Sequence, residues 1–147
     1  FVQVRVGRNK SPFRLVKFRT MGVETISVAS HLASTASITK VGGILRKTKL
    51  DELPQLWNVL RGEMSLVGPR PNLFNQEELI KERDKLGIYG VRPGITGLAQ
   101  INDIDMSMPK ILAQTDAKMI NEMSLDRYFL YIFQTVLGKG AGDRVKN

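Results

Sequence analysis

The 147-residue sequence has no cysteine and a single histidine, His31. The first absence excludes disulfides and thiolate zinc sites and suits a reducing compartment. His31 stands alone in a stretch rich in Ser, Ala and Thr and is read as incidental. No apolar run approaches the roughly 20 residues that span a bilayer, and no secretory leader is legible. Acid is scarce at one end: residues 1–49 hold ten Lys or Arg and one acid, Glu24, whereas the remainder holds twelve basic and thirteen acidic residues. All of the +8 net charge therefore lies before Asp51. Such a lobe attracts polyanions, whether nucleic acid, anionic headgroups or substrate phosphates, or it is a solvated face; charge alone does not choose. What is present is globular in character. Apolar residues make up 42% of the chain, enough for one core in one domain over residues 1–147. The chain opens on Phe1 in an already alternating pattern, so the expectation is a fragment whose N-terminus lies elsewhere.

Val2, Val4 and Val6 alternate with polar residues, and Phe13, Leu15 and Phe18 follow a turn-rich stretch ending at Pro12, which predicts a β-hairpin. Residues 25–39 lack periodicity and read as a mobile loop. Leu50, Leu53, Leu56, Trp57 and Leu60 then form one stripe at helical spacing, with Gly62 as a stop. Further helices are predicted over 76–86, ended by Gly87, over 108–123, and from a Ser124 cap through a face of Leu125, Tyr128, Phe129, Ile132, Phe133, Val136 and Leu137. Gly68-Pro69-Arg70-Pro71 and Arg92-Pro93-Gly94-Ile95-Thr96-Gly97 interrupt them. The fold class is α+β: a single, mostly helical domain with an N-terminal β-hairpin and proline-rich irregular loops.

The chemistry concentrates in Arg46-Lys47-Thr48-Lys49-Leu50-Asp51-Glu52-Leu53-Pro54. Proline is tolerated in a first helical turn, so Pro54 places Asp51 at or near the N-cap. There the exposed amides and the helix dipole keep a carboxylate ionised. An ionised, positioned Asp can attack phosphorus, and Glu52 beside it could hold a divalent cation, since Mg²⁺ takes one or two carboxylates plus phosphate oxygens. The plain alternative is an ordinary helix cap, with Arg46 and Arg70 as surface charges.

The longer words decide between these. Val16-Lys17-Phe18-Arg19-Thr20-Met21 comes first, and the run from Leu45 through Asp51-Glu52-Leu53-Pro54-Gln55-Leu56-Trp57-Asn58-Val59-Leu60 follows. Arg61-Gly62-Glu63-Met64-Ser65-Leu66-Val67-Gly68-Pro69-Arg70-Pro71 and Val91-Arg92-Pro93-Gly94-Ile95-Thr96-Gly97-Leu98-Ala99-Gln100-Ile101 complete the series. This ordered set closely resembles the bacterial sugar transferase family, the monotopic polyprenyl-phosphate phosphoglycosyl transferases. The resemblance implies a two-step transfer. Asp51 attacks the sugar-bearing phosphate of a UDP-sugar and expels UMP, and the phospho-sugar then passes to polyprenyl phosphate, initiating a surface glycan. It implies Mg²⁺ held at Asp51 and Glu52, and Lys17, Arg46 and Arg70 on substrate phosphates. It further implies action at the cytoplasmic face of the bacterial inner membrane, and it admits a homodimer.

The match has gaps. Asn102-Asp103-Ile104 stands where family members often read Asn-Gly-Arg, so Ile104 replaces an arginine linked to the nucleotide, and Ser37 replaces a frequent basic residue. The family's N-terminal membrane helix has no counterpart. Tyr128, Phe129, Tyr131 and Phe133 of the last helix fit either a headgroup boundary or a core. Two other classes are weighed: a basic nucleic-acid-binding module, which lacks a reading motif, and a non-catalytic membrane-peripheral scaffold, which would tolerate loss of Asp51.

Overall fold

The computed structural model describes residues 1–22 and 37–140. An antiparallel hairpin opens the chain, β1 (Val2–Val6) against β2 (Pro12–Val16), with Val4 opposite Arg14. It turns through Arg8–Lys10, where Asn9 and Lys10 adopt positive φ. The strand forms as expected, but the in/out alternation breaks at its end: Val2 and Val4 face outward, while Arg5 and Val6 are both buried. Residues 25–36 of the expected loop, His31 among them, lie outside the described residues. Ser37 to Thr39 are ordered differently from that expectation: Ile38 bridges Met21, and Thr39 caps a helix by accepting from the Gly42 amide at 2.9 Å.

That helix, α1 (Lys40–Lys47), is absent from the sequence reading. Gly42-Gly43 argues against a helix on propensity. The reason for Gly42 is tertiary: a Cβ there would lie 2.0 Å from the Thr20 carbonyl oxygen, so only glycine lets α1 sit on the chain leaving the hairpin. The helix expected from Leu50 is divided. Leu50–Glu52 form a single 3₁₀ turn, entered through Lys49 at φ 58, and α2 (Gln55–Leu60) begins after Pro54. Asp51 is therefore inside the turn and not an N-cap of α2, because Pro54 takes that position itself.

A second sheet is also new. β3 (Ser65–Val67) runs parallel to β4 (Gly94–Thr96). The strands continue into a backbone crossing so close that a Cβ on Gly94 would stand 2.0 Å from the Gly68 nitrogen. Between them lies α3 (Glu77–Lys85), stopped by Gly87 at φ 67. After β4 come α4 (Leu98–Ile101), α5 (Pro109–Asn121) and α6 (Leu125–Val136), the last capped by Ser124 as its sequence predicts. The α+β class stands.

Three apolar clusters hold these elements. Phe13, Leu15 and Met64 join hairpin to β3, with Val59 and Ile95 packed on them. Val67, Met119 and Tyr131 join β3, α5 and α6. Leu79, Ala99 and Leu112 join α3, α4 and α5. Burying each such side chain contributes roughly 1.5–3 kcal/mol. The stripe on residues 50–60 contributes little of this: Leu53, Leu56, Trp57 and Leu60 are 44–80% exposed. The α6 face is split in the same way. Tyr131 is core and Tyr128 and Ile132 pack against it, whereas Leu125, Phe129, Phe133 and Val136 are 60–80% exposed.

Candidate active site

The acidic turn sits where the hairpin, α1, α2 and the Pro69–Pro71 segment meet. The Phe18 amide donates to the Asp51 carbonyl oxygen at 3.0 Å, fixing the exit of the hairpin to the turn. Asn58 on α2 completes the joint from beneath, being 1% exposed. Its Oδ1 accepts from the Val16 amide, and its Nδ2 donates to the Arg14 carbonyl at 2.8 Å and to Glu63 Oε2 at 2.7 Å. Asn58 thus ties α2, the helix after the acidic turn, to β2.

Asp51 is buried, 3% exposed. Glu52 reaches further out and accepts from Arg70 Nη2 at 3.0 Å, both side chains being largely shielded from solvent. Around Glu52 a small polar pocket of about 20 Å³ is lined by Arg5, Lys17, Gln55, Arg70 and Gly94, with Leu15, Pro71 and Ile95 as its apolar walls. Of the expected phosphate ligands, Lys17 and Arg70 therefore converge beside Glu52. Arg46 is 9% exposed, donates from Nε to Thr20 Oγ1 at 2.9 Å, and is not part of that lining. Lys17 also places its ammonium 5.7 Å from the Phe1 ring centroid.

Sequence reasoning missed Arg5. Its Nη1 donates to the Pro71 carbonyl at 3.2 Å and its Nη2 to Gln3 Oε1 at 2.6 Å, and it brings a third cation to the pocket. The signal was there in principle: in a strand, Arg5 shares a face with Gln3 and lies opposite to Val4.

Glu52 also lines a second, larger cavity of about 310 Å³. Its walls are Leu50, Leu53, Leu56, Leu66, Ile95, Ile132 and Val136, with Thr48, Lys49, Thr96 and Thr135 at the edges. Lys49 donates from Nζ to the Lys139 carbonyl at 2.5 Å, tying the chain beyond α6 to the residue before the acidic turn. Desolvation lowers the Lys49 ammonium from its ordinary value, against the pull of Glu52 and Asp103. A polar, cationic pocket and an apolar groove thus share one carboxylate wall.

For a metal, the donor set is two adjoining carboxylates. Among the described residues no group of three His, Cys, Asp or Glu could hold an ion. Of the two, Glu52 lines the cationic pocket, while Asp51 is buried and lines neither cavity. One carboxylate at the pocket fits a cation that completes its shell with phosphate oxygens and water, as Mg²⁺ does, and not a preformed cage. Ile104 packs against the Leu79, Ala99 and Leu112 cluster.

Comparison with known proteins fits this geometry. The chain is 38% identical over 147 residues to the UDP-glucose:undecaprenyl-phosphate glucose-1-phosphate transferase of Caulobacter vibrioides, covering 92% of this chain and 54% of that protein. It is 50% identical over 102 residues to the uncharacterized sugar transferase EpsL of Bacillus subtilis, covering 69% and 50%. A third relative is the UDP-N-acetylgalactosamine-undecaprenyl-phosphate N-acetylgalactosaminephosphotransferase of Aeromonas hydrophila, 36% identical over 92% of this chain and 34% of its own length. The chain thus spans about half, or less, of these relatives. The profile of the bacterial sugar transferase family matches residues 1–139, and the chain belongs to that family.

Proposed function

We propose that the protein transfers a phospho-sugar from a UDP-sugar to polyprenyl phosphate at a membrane surface. The observation that carries this is the wall at Glu52, with cationic side chains for phosphates on one side and an apolar groove for a lipid on the other. The relatives named for undecaprenyl-phosphate substrates support it.

In the first step an Asp51 carboxylate oxygen attacks the sugar-bearing phosphorus. The bond from that phosphorus to the bridging oxygen breaks, and UMP leaves with the electron pair. In the second, a phosphate oxygen of the lipid attacks the same phosphorus, the bond to Asp51 breaks, and the carboxylate is restored. Arg5, Lys17 and Arg70 stabilise the charge on the transferring phosphate, which is most of what a phosphoryl-transfer site supplies. Asp51 and Glu52 would hold Mg²⁺ together with substrate phosphates, and the ion would neutralise diphosphate charge. Exposed Leu53, Leu56, Trp57, Phe129, Phe133 and Val136 would lie at the headgroup boundary.

The test is UMP release by the intact protein in bilayer discs containing polyprenyl phosphate, screened across UDP-sugars with Mg²⁺. A UDP-sugar labelled in its β-phosphate should leave label on the parent protein and none on Asp51→Asn. Equal labelling of both refutes the nucleophile, and full turnover in chelator refutes the metal.

A further inference from the structure

Arg70 lies on a segment with no regular secondary structure, and two of its residues, Pro69 and Pro71, have no amide hydrogen to donate. The segment is held through its carbonyls, and all four from Pro69 to Asn72 are engaged by different parts of the fold. Pro69 accepts from the Gly94 amide at 2.9 Å, Arg70 from Arg83 Nη1 at 2.8 Å, Pro71 from Arg5 Nη1 at 3.2 Å and Asn72 from the Val6 amide at 2.9 Å. Three of these donors belong to strands. The fourth is a side chain on α3, and it is the best buried arginine of the described residues, 1% exposed.

Arg83 has a divided fork. Its Nε and Nη2 both donate to Asp116 Oδ2 on α5, at 3.0 and 2.7 Å, while Nη1 is shared between the Arg70 carbonyl and Asn72 Oδ1 at 3.0 Å. Tyr89 donates its hydroxyl to the same Asn72 oxygen at 3.1 Å. Asp116 is 1% exposed and Asn72 fully buried. A pair serving only to join α3 to α5 is a poor choice at this depth, because apolar residues of similar volume stabilise a core at least as well. What apolar residues cannot do is grip a carbonyl. The use made of the charge is the third contact, to the backbone from which the Arg70 side chain departs towards Glu52.

We propose that Arg83, anchored by Asp116, is a positioning residue for the transfer step: it fixes the backbone of Arg70 so that the Arg70 guanidinium meets Glu52 and the phosphate at the correct distance. This rests on the transferase reading given above. A bidentate phosphate contact tolerates displacements well below 1 Å before rate is lost, so a loosened carbonyl at residue 70 is felt in turnover.

The experiment is a double-mutant cycle on UMP release by the intact protein, with Arg83→Lys, Arg70→Lys and the double variant, each checked for a parent-like melting transition. Lysine at 83 keeps the charge beside Asp116 but loses the fork that reaches residue 70. Lysine at 70 leaves residual turnover to measure. Arg83→Lys is expected to lower kcat/KM about tenfold in the parent, and by less than about twofold when residue 70 is already lysine, a coupling of the size contacts in one network show. Losses that multiply in the double variant, or an Arg83→Lys protein as active as the parent, overturn the proposal. If Arg83→Lys does not fold, Asp116→Glu replaces it in the cycle with the same two outcomes, since it keeps both charges and shifts the pair by one methylene. A parent that releases no UMP from any UDP-sugar overturns the transferase reading, and this role with it.

Discussion

Replacing Asn58 with alanine tests how the basic hairpin is joined to α2, the helix that follows the acidic turn. The side chain makes three hydrogen bonds from a site 1% exposed, two of them to the backbone of β2. Alanine leaves the Val16 amide and the Arg14 carbonyl facing a buried hole. Each unsatisfied group costs about 1–3 kcal/mol, and water reaching the vacated space offsets part of that. A net loss of about 3 kcal/mol is expected, which at this chain length lowers the melting temperature by roughly 10 °C. Asn58→Asp separates the terms, because it keeps the acceptor for Val16 but loses both donors and sets a second carboxylate against Glu63. It should be at least as destabilising at neutral pH and should recover part of the loss as both carboxylates protonate in acid. Thermal unfolding of the three proteins in one detergent, at neutral and acidic pH, is the assay. If Asn58→Ala melts within about 2 °C of the parent, the joint is not what holds β2 to α2.

Removing one partner of the buried α3–α5 pair by Asp116→Ala should cost 3–5 kcal/mol, since it strands the Arg83 charge; chemical denaturation measures it, and a loss below about 1 kcal/mol contradicts the burial argument. Arg46→Lys keeps the charge but loses the Nε donor to Thr20, so turnover should fall about tenfold, whereas Arg8→Ala should spare it; equal turnover in both is the contrary result. Trp57→Ser with Phe133→Ser removes two side chains that are 59% and 60% exposed and should weaken flotation with anionic liposomes at least several-fold; unchanged flotation removes this face from the membrane.

Legibility in the sequence followed the range of the interaction. The helices over residues 77–85, 109–121 and 125–136 lie within two residues of their expected ends because their signals are local: Gly87 in the left-handed region, Pro109 in the first turn and Ser124 at the cap. The helix at Lys40–Lys47 was hidden because its glycine answers a contact with Thr20, twenty-two residues earlier. The three-residue strands around Leu66 and Ile95 are too short for a period of two to register. At the site, the family words placed Glu52, Lys17 and Arg70 together, and periodicity alone would not have done so. Strand alternation puts Arg5 on the Gln3 face, but its contact with Pro71 and the Arg83–Asp116 pair were not legible, since those partners stand 66 and 33 residues apart.

The backbone crossing at Gly68 and Gly94 bears on any attempt to retune the site for a different sugar. A methyl group on Gly94 would collide with main chain, which cannot rotate aside as a side-chain tip can. The crossing is therefore a fixed datum beneath the cationic pocket, and a library that randomises either glycine spends its members on misfolded chains. The neighbours are different ground: Leu66 and Ile95 leave the same two strands with side chains that line the apolar groove, and Ile95 also reaches the polar pocket. Variation at 66 and 95 reshapes both compartments while the frame that aligns them stays put.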